Sequence, residues 1–297
     1  MNVTKFPSIR TALLVLLLVN LVWGGSLPAT KLGLEEFSPF ILSWLRLSVS
    51  ALLFLVVLIV NGELRALTLR DWLTLLLLGI VGYSGTIGLQ TLGTNFTTGS
   101  SATVLGSTGP LFITILAAAV LRERPGWSVA AGLLIALLGI SMVMGLGLGE
   151  ASSMAGRYLQ GNLLVLGSAA CFGIFTVAGK SSMKNHSPLV VSGAACLGGA
   201  LGLTLPAVQE LAGGAPHVSL LGLSVVLYLG VLVTFAGMLA WFWALQAVPA
   251  SRGGAFLFIQ PVSGIGLAAL LLGDVLSVSF LLGSALVLGG LYLVARE

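Results

Sequence analysis

Charge is what this sequence lacks. Only 7% of its 297 residues are Asp, Glu, Lys or Arg, where a soluble domain carries about 25%. Thirteen basic and nine acidic side chains cannot clothe a water-facing surface on this chain. A soluble enzyme, a nucleic-acid binder and a disordered chain are therefore excluded. The two cysteines, Cys171 and Cys196, both sit in apolar stretches, which indicates neither a disulfide framework nor a metal site. Long apolar runs are there in abundance: 57% of residues are hydrophobic, 40 are Gly, and mean hydropathy is +1.11. The fold class is an all-α polytopic membrane protein.

A membrane-spanning helix needs about 20 mostly apolar residues. Ten such runs are expected near 11–31, 39–61, 72–93, 97–121, 127–147, 160–180, 188–211, 219–246, 252–273 and 276–294. The connections between them are too short for a soluble domain. Lys5 and Arg10 before the first run could begin a signal peptide, but the run is long enough to span and no small-residue cleavage site closes it. A retained first helix is expected. With ten spans both termini share a side, and that side would carry Lys5, Arg10, Arg65, Arg70, Arg122, Arg124, Lys180, Lys184, Arg252 and Arg296. The other side would carry Lys31 and Arg157 alone. Basic loops stay in the cytoplasm, so both termini are expected there.

The two halves align. At an offset of 149, Gly24, Lys31, Ser38, Pro39 and Ser43 match Gly173, Lys180, Ser187, Pro188 and Ser192. At an offset of 151, Gly79, Ser100, Pro110, Glu123 and Gly139 match Gly230, Ser251, Pro261, Asp274 and Gly290. Residues 1–149 and 150–297 are thus expected to be five-helix repeats forming one transmembrane domain. An odd number of spans per repeat inverts the second copy relative to the first. Inverted repeats suit alternating access to a midplane site; a scaffold made by duplication is the plainer alternative.

Three segments carry a family resemblance. WGGSLPATK (Trp23 to Lys31) resembles the first-helix signature of the drug/metabolite transporter superfamily in its EamA-like, ten-helix branch. ATVLGSTGPLFITILAAAVLRERP (Ala102 to Pro125) and GGAFLFIQPVSGIGLAALLLGDVLS (Gly253 to Ser277) look like that branch's fourth and ninth helices. The resemblance covers almost the whole chain and implies a bacterial inner-membrane exporter of metabolites. The chain is also similar to the aromatic amino acid exporters of the branch, though no single motif carries that narrower similarity.

Polar residues at helical spacing inside a span should face a cavity or another helix. The first span offers Asn20 and Trp23, and its repeat partner Phe172 and Thr176; the third offers Tyr83, Thr86 and Gln90, the last matched by Trp241 in its partner. The fourth offers Ser100, Thr103 and Ser107, matched by Ser251, Gly254 and Phe258 in its partner. The expected substrate site is Asn20, Trp23, Arg46, Tyr83, Thr86, Gln90, Ser107, Phe172, Thr176, Trp241, Phe258 and Gln260. The first half supplies hydroxyls and amides where the second supplies rings, which suits a small molecule with a polar head and an apolar body. Each Ser or Thr could equally bond its own backbone. Pro110 and Pro261 are candidate hinges or static kinks, and each frees a carbonyl four residues back. Gly79, Gly82, Gly85 and Gly88 would form a packing ridge, while Trp72, Trp127 and Tyr292 would anchor at the interface.

Lys31 and Lys180 end matched spans and would snorkel to the interface. Arg46 lies inside the second span with no acidic residue in any span to pair with it; it anchors a substrate carboxylate or bonds carbonyls. All nine acidic residues and both histidines fall in loops or at span ends, so no buried proton carrier of the usual kind exists. No catalytic pair, metal or cofactor is expected. The partners are a small-molecule substrate and the lipid bilayer, without nucleic acid, for a monomer. An uncoupled amino acid exporter is the expected function; a proton- or sodium-coupled exporter of drugs, nucleobases, sugars or other metabolites is the alternative, with a channel or receptor as further ones.

Overall fold

Hydrocarbon offers a backbone no hydrogen-bond partners, so a long apolar run must satisfy its own amides by coiling. A computed structural model of the chain describes residues 7–63, 67–121, 127–143, 153–248, 253–254, 256–273 and 276–295, and among them every regular element is helical. The elements are α1 (Ile9–Gly24), α2 (Ser26–Gly33), α3 (Pro39–Val60), α4 (Leu69–Leu78), a π-helical stretch Gly79–Tyr83, α5 (Ser84–Phe96), α6 (Gly99–Gly106), α7 (Gly109–Leu121) and α8 (Trp127–Val143). They continue with α9 (Ser153–Ser182), α10 (Pro188–Ala212), α11 (Leu220–Leu227), a second π stretch Tyr228–Ala236, α12 (Gly237–Ala244), a 3-10 turn Phe256–Phe258, α13 (Ile259–Leu272) and α14 (Val278–Ala295).

Seven helices among the described residues are long and apolar enough to cross a bilayer: Ile9–Gly33, Pro39–Val60, Leu69–Phe96, Gly99–Leu116, Gly156–Ser182, Pro188–Ala212 and Leu220–Ala244. The remaining expected runs hold the shorter helices α8, α13 and α14. Lys5, Arg65, Arg122, Glu123, Arg124, Arg252, Asp274 and Arg296, used above for orientation and repeat matching, lie outside the described residues, as does Ser251.

Helix starts follow local chemistry. The Ser-Pro pairs open α3 and α10, with Pro39 and Pro188 in the first turn, where a missing N–H costs nothing. The Ser187 hydroxyl accepts from the Val190 amide. Thr68 and Asp71 form a reciprocal capping box at α4. At the start of α3 and at that of α11 a carboxylate also arrives from a distant segment. Glu210 accepts from the amides of Phe40 and Ile41 at 2.8 and 3.0 Å. Glu36 accepts from the Ser219 amide at 2.9 Å and from its hydroxyl.

The same contacts recur along the chain. Helix α3 packs on α10, α8 on α14, and α6 on α13; α5 packs on α9 as α1 packs on α12. The π stretches begin near matched positions, Gly79 and Gly230 lying within them. Gly79 faces the Ala195 carbonyl so closely that a Cβ could not fit, and Gly230 faces the Arg46 carbonyl, 149 residues before Ala195. Gly139 abuts the Gly283 carbonyl, and Gly290 abuts that of Gly132. Backbones this close gain dispersion contacts, which drive association where hydrophobic burial cannot.

Three sequence expectations change. Lys31 and Lys180 do not snorkel. Lys31 donates to the carbonyls of Thr94 and Thr97 at 2.9 and 2.8 Å, and Lys180 to that of Val248 at 2.9 Å. Each ammonium meets carbonyls at or just past a helix end, and Thr97 and Val248 stand 151 residues apart. The glycine ridge serves two neighbours rather than one: Gly79 and Gly88 face Ala195 and Leu203 of α10, while Gly82 and Gly85 face Phe175 and Cys171 of α9. A three-residue step falls about 60° short of a full turn, so the row winds from one partner to the next. Pro110 is not a mid-helix kink. The helix already breaks at Ser107 and Thr108, and Pro110 sits in the first turn of α7; Pro261 likewise follows the 3-10 turn, near the start of α13. Trp127 and Tyr292 are exposed and Trp72 is partly buried.

Replacing Gly79 by Leu forces two backbones apart and should cost about 1–3 kcal/mol or more, lowering the unfolding temperature in detergent. Gly266→Leu, in open space, should not; equal stability of the two variants would contradict the close contact. Glu36 is held below the ordinary carboxylate range by the Ser219 hydroxyl and amide, with His217 adding attraction. Its contribution is therefore present at neutral pH and lost as pH falls through that lowered pKa. The stability gap between wild type and Glu36→Gln should be open at pH 7 and close on acidification; a gap constant with pH would contradict this.

Candidate functional site

The broken helices meet around a cavity. About 570 Å³ of space unoccupied by atoms lies within its bounds, a figure that includes the open solvent at its mouth. Trp23 and Ser26 come from the α1–α2 break, Arg46 from α3, and Tyr83, Thr86, Ile87 and Gln90 from the π stretch and α5. Gly106 stands at the α6–α7 break. Ser168, Ala169 and Phe172 come from α9, Val233 and Met238 from the second π stretch and α12, Leu257 from the 3-10 turn and Gln260 from the start of α13.

The π stretches prepare this wall. Within them amides reach back five residues instead of four: Ser84 bonds the Gly79 carbonyl, and Gly237 that of Leu232. Side chains then take neighbouring carbonyls. In the first stretch the Thr86 hydroxyl donates to Gly82 at 2.6 Å. In the second, the matched residue is Gly237, which has no side chain, and the Trp23 indole N–H donates to Val233 at 2.8 Å. A Cβ at Gly237 would strike the Trp23 Nε1. A glycine in one half thus makes room for a tryptophan from the other.

Trp23 anchors an aromatic cluster. Its ring lies 5.3 Å from Trp241 and 6.1 Å, edge-on, from Phe172, and Phe172 lies 6.2 Å from Trp241. Tyr83 stacks on Phe175 at 4.8 Å. Arg46 is only 5% exposed; its Nε donates to the Thr234 hydroxyl at 2.7 Å, and its Nη1 has no partner.

Seven of the twelve expected site residues line the cavity: Trp23, Arg46, Tyr83, Thr86, Gln90, Phe172 and Gln260. Four do not. Asn20 is fully buried, bonding the Leu16 carbonyl and accepting from Gln260 Nε2 at 2.9 Å, so it positions Gln260 instead. Ser107 is spent on its own helix, donating to Thr103 at 2.7 Å, and Thr103 donates to Gly99 in turn. The stripe on the fourth span therefore faces protein. Thr176 is fully buried without a hydroxyl partner, and Trp241 stands behind Trp23 and Phe172 with an unpartnered indole N–H. The side chain of Phe258 lies outside the described residues. The expected division of rings and hydroxyls between halves also fails, since Trp23 and Tyr83 bring rings from the first half and Ser168 and Gln260 bring polar groups from the second. Sequence reading missed Ser26, Ser168 and the apolar liners. Ser26 directly follows the Gly24-Gly25 pair that loosens the first span, and this was the available signal.

The sequence profile of the EamA-like transporter family matches residues 10–145 and again 159–296. The chain is 31% identical to an uncharacterized transporter of Archaeoglobus fulgidus, over 96% of this chain and 98% of that one. It is 29% identical to the uncharacterized transporter YetK of Bacillus subtilis, over 91% and 82%. It is 28% identical to a protein of Streptantibioticus cattleyicolor named "probable terminal-alkyne amino-acid exporter", over 96% and 94%. One solved crystal structure shares the fold with a TM-score of 0.70 at 20% identity, covering 97% of this chain and 99% of the other.

Gly237→Ala should push the Trp23 indole off the Val233 carbonyl. The loss of one hydrogen bond, net about 0.5–1.5 kcal/mol, should lower the unfolding temperature and alter the near-ultraviolet circular dichroism of the buried tryptophans. An unchanged spectrum and melting temperature would contradict the docking.

Proposed function

The chain belongs to the EamA-like transporter family and is a membrane transporter, and we propose that it exports amino acids with aromatic or apolar side chains as an uncoupled, alternating-access carrier. The observation that carries this reading is the cavity, where the rings of Trp23 and Phe172 adjoin Ser26, the amides of Gln90 and Gln260, and the hydroxyl oxygens of Thr86 and Ser168, whose protons go to the Gly82 and Val165 carbonyls and which can therefore only accept. An apolar body can lie on the rings while a polar head meets the hydroxyls and amides. The Streptantibioticus relative, named for an amino acid with an apolar alkyne tail, supports the substrate class.

The halves 1–149 and 150–297 are five-helix copies of opposite orientation, giving ten spans with both termini in the cytoplasm of a bacterial inner membrane. Support comes from the double match of the family profile, the recurring contacts and the loop charge bias. Two inverted copies exchange conformations and so open the shared cavity to each side in turn. The helix breaks at Gly25, Ser107–Thr108 and Phe256–Phe258 are the places that yield, Pro110 and Pro261 keeping the following segments as separate helices. Among the described residues none that lines the cavity is Asp, Glu or His, and on this reading the substrate gradient itself drives net flux.

In proteoliposomes, labelled phenylalanine and tryptophan should show saturable counterflow that a pH gradient does not alter, with threonine slower and a sugar inert. Gln90→Ala, removing one polar contact of about 1 kcal/mol, should raise the KM roughly fivefold. Accumulation driven by the pH gradient would overturn the uncoupled mechanism, and absence of any amino acid exchange would overturn the substrate class.

A further inference from the structure

Arg46 brings to the cavity a charge that no residue lining it balances. The residue is 95% buried by its 5% exposure, lines the cavity, spends its Nε on the neutral Thr234 hydroxyl and leaves Nη1 without a partner. A guanidinium keeps its proton in proteins, so neutralisation cannot relieve the cost of burying it. Among the described residues, Glu210 is committed to the amides of Phe40 and Ile41, Glu36 to Ser219, Asp71 to Thr68 and Glu63 to Ser187, and none of them lines the cavity. The matched position in the other half is Ala195, so the charge belongs to one half alone. What remains to compensate it is an anion drawn from the cavity.

We propose that Arg46 is the cavity's anion site, that it takes the substrate carboxylate, and that aromatic monocarboxylates without an amino group are substrates as good as the amino acids or better. This rests on the reading of the cavity as the transport site. Its further content is charge balance. With a zwitterion bound, cavity and cargo together keep one positive charge, and no lining carboxylate holds the ammonium. With a monoanion bound the sum is zero, which apolar surroundings favour. The lining rings of Trp23 and Phe172 suit the aryl group of either cargo. Transport of the monoanion therefore moves one net negative charge per turnover, whereas transport of the zwitterion moves none.

The test uses the purified full chain with phenylpyruvate, whose strongly acidic carboxyl keeps it from crossing lipid unaided, beside phenylalanine. Phenylpyruvate should raise the unfolding temperature in detergent and enter proteoliposomes saturably, several-fold faster with an inside-positive potassium–valinomycin potential; phenylalanine uptake should not respond to the potential. R46Q should weaken phenylpyruvate binding at least tenfold, R46K less. In anion-poor buffer without ligand, R46Q should unfold no lower than wild type, because it removes an unbalanced charge. A merely structural arginine gives the opposite pattern: R46Q melts lower, yet phenylpyruvate still stabilises it. That pattern overturns the proposal. If phenylalanine exchanges while phenylpyruvate neither stabilises nor enters, the anion site falls and the transport reading stands. If phenylpyruvate stabilises through Arg46 and nothing exchanges, the transport reading falls instead. If neither ligand binds or exchanges, both fall.

Discussion

Backbone hydrogen bonding in a medium without water is the constraint from which the rest of this structure follows. Every amide and carbonyl at membrane depth needs a protein partner, and long helices meet that need except where they end or break. Those places are where this chain puts its polar chemistry. Lys31 and Lys180 take carbonyls at or just past helix ends, Glu36 and Glu210 take amides at helix starts, and Thr86 and Trp23 take carbonyls inside the π stretches. These four charges stand where a helix cannot satisfy itself, whereas Arg46 stands within α3 and faces the cavity.

The cavity is a product of the same rule. Irregular backbone is tolerated at membrane depth where it is enclosed by protein or lines a cavity. The α1–α2 break, the α6–α7 break and the 3-10 turn before α13 all contribute residues to one wall. Around them the helices close through glycine-to-carbonyl contacts, which hold firmly yet present no interlocking side chains. A bundle assembled this way combines a firm frame with a centre made of short, separately movable segments. Pocket polarity then follows from what each break exposes: rings from Trp23 and Phe172, amides from Gln90 and Gln260, and the buried guanidinium of Arg46.

Particular residues show how far the sequence could be read. Tyr83, Thr86 and Gln90 stand at spacings of three and four, and all three reach the cavity. Ser100, Thr103 and Ser107 have the same spacings and do not: the backbone bonds of Thr103 and Ser107 match that of Thr86, and what differs is that their face of the helix is buried against protein. Asn20 and Trp241 share helical faces with cavity residues and sit one layer behind them. The lysines were recognisable as a matched pair, but nothing local indicated that carbonyls more than sixty residues away would receive them.

The sequence by itself determined that this is a helical membrane protein, where its helices begin, and which residues recur between its halves. Those properties follow from bilayer thickness and backbone satisfaction, which act on each short stretch of chain independently. Only the tertiary structure decided which polar stripe faces the cavity and which faces a neighbour. Helical spacing fixes the relative direction of residues on one helix, but not what stands opposite them. A π stretch or a break then resets that direction partway along a span. Whether Trp23 could dock on Val233 depended on a missing side chain at Gly237, which becomes meaningful only when the two helices lie side by side.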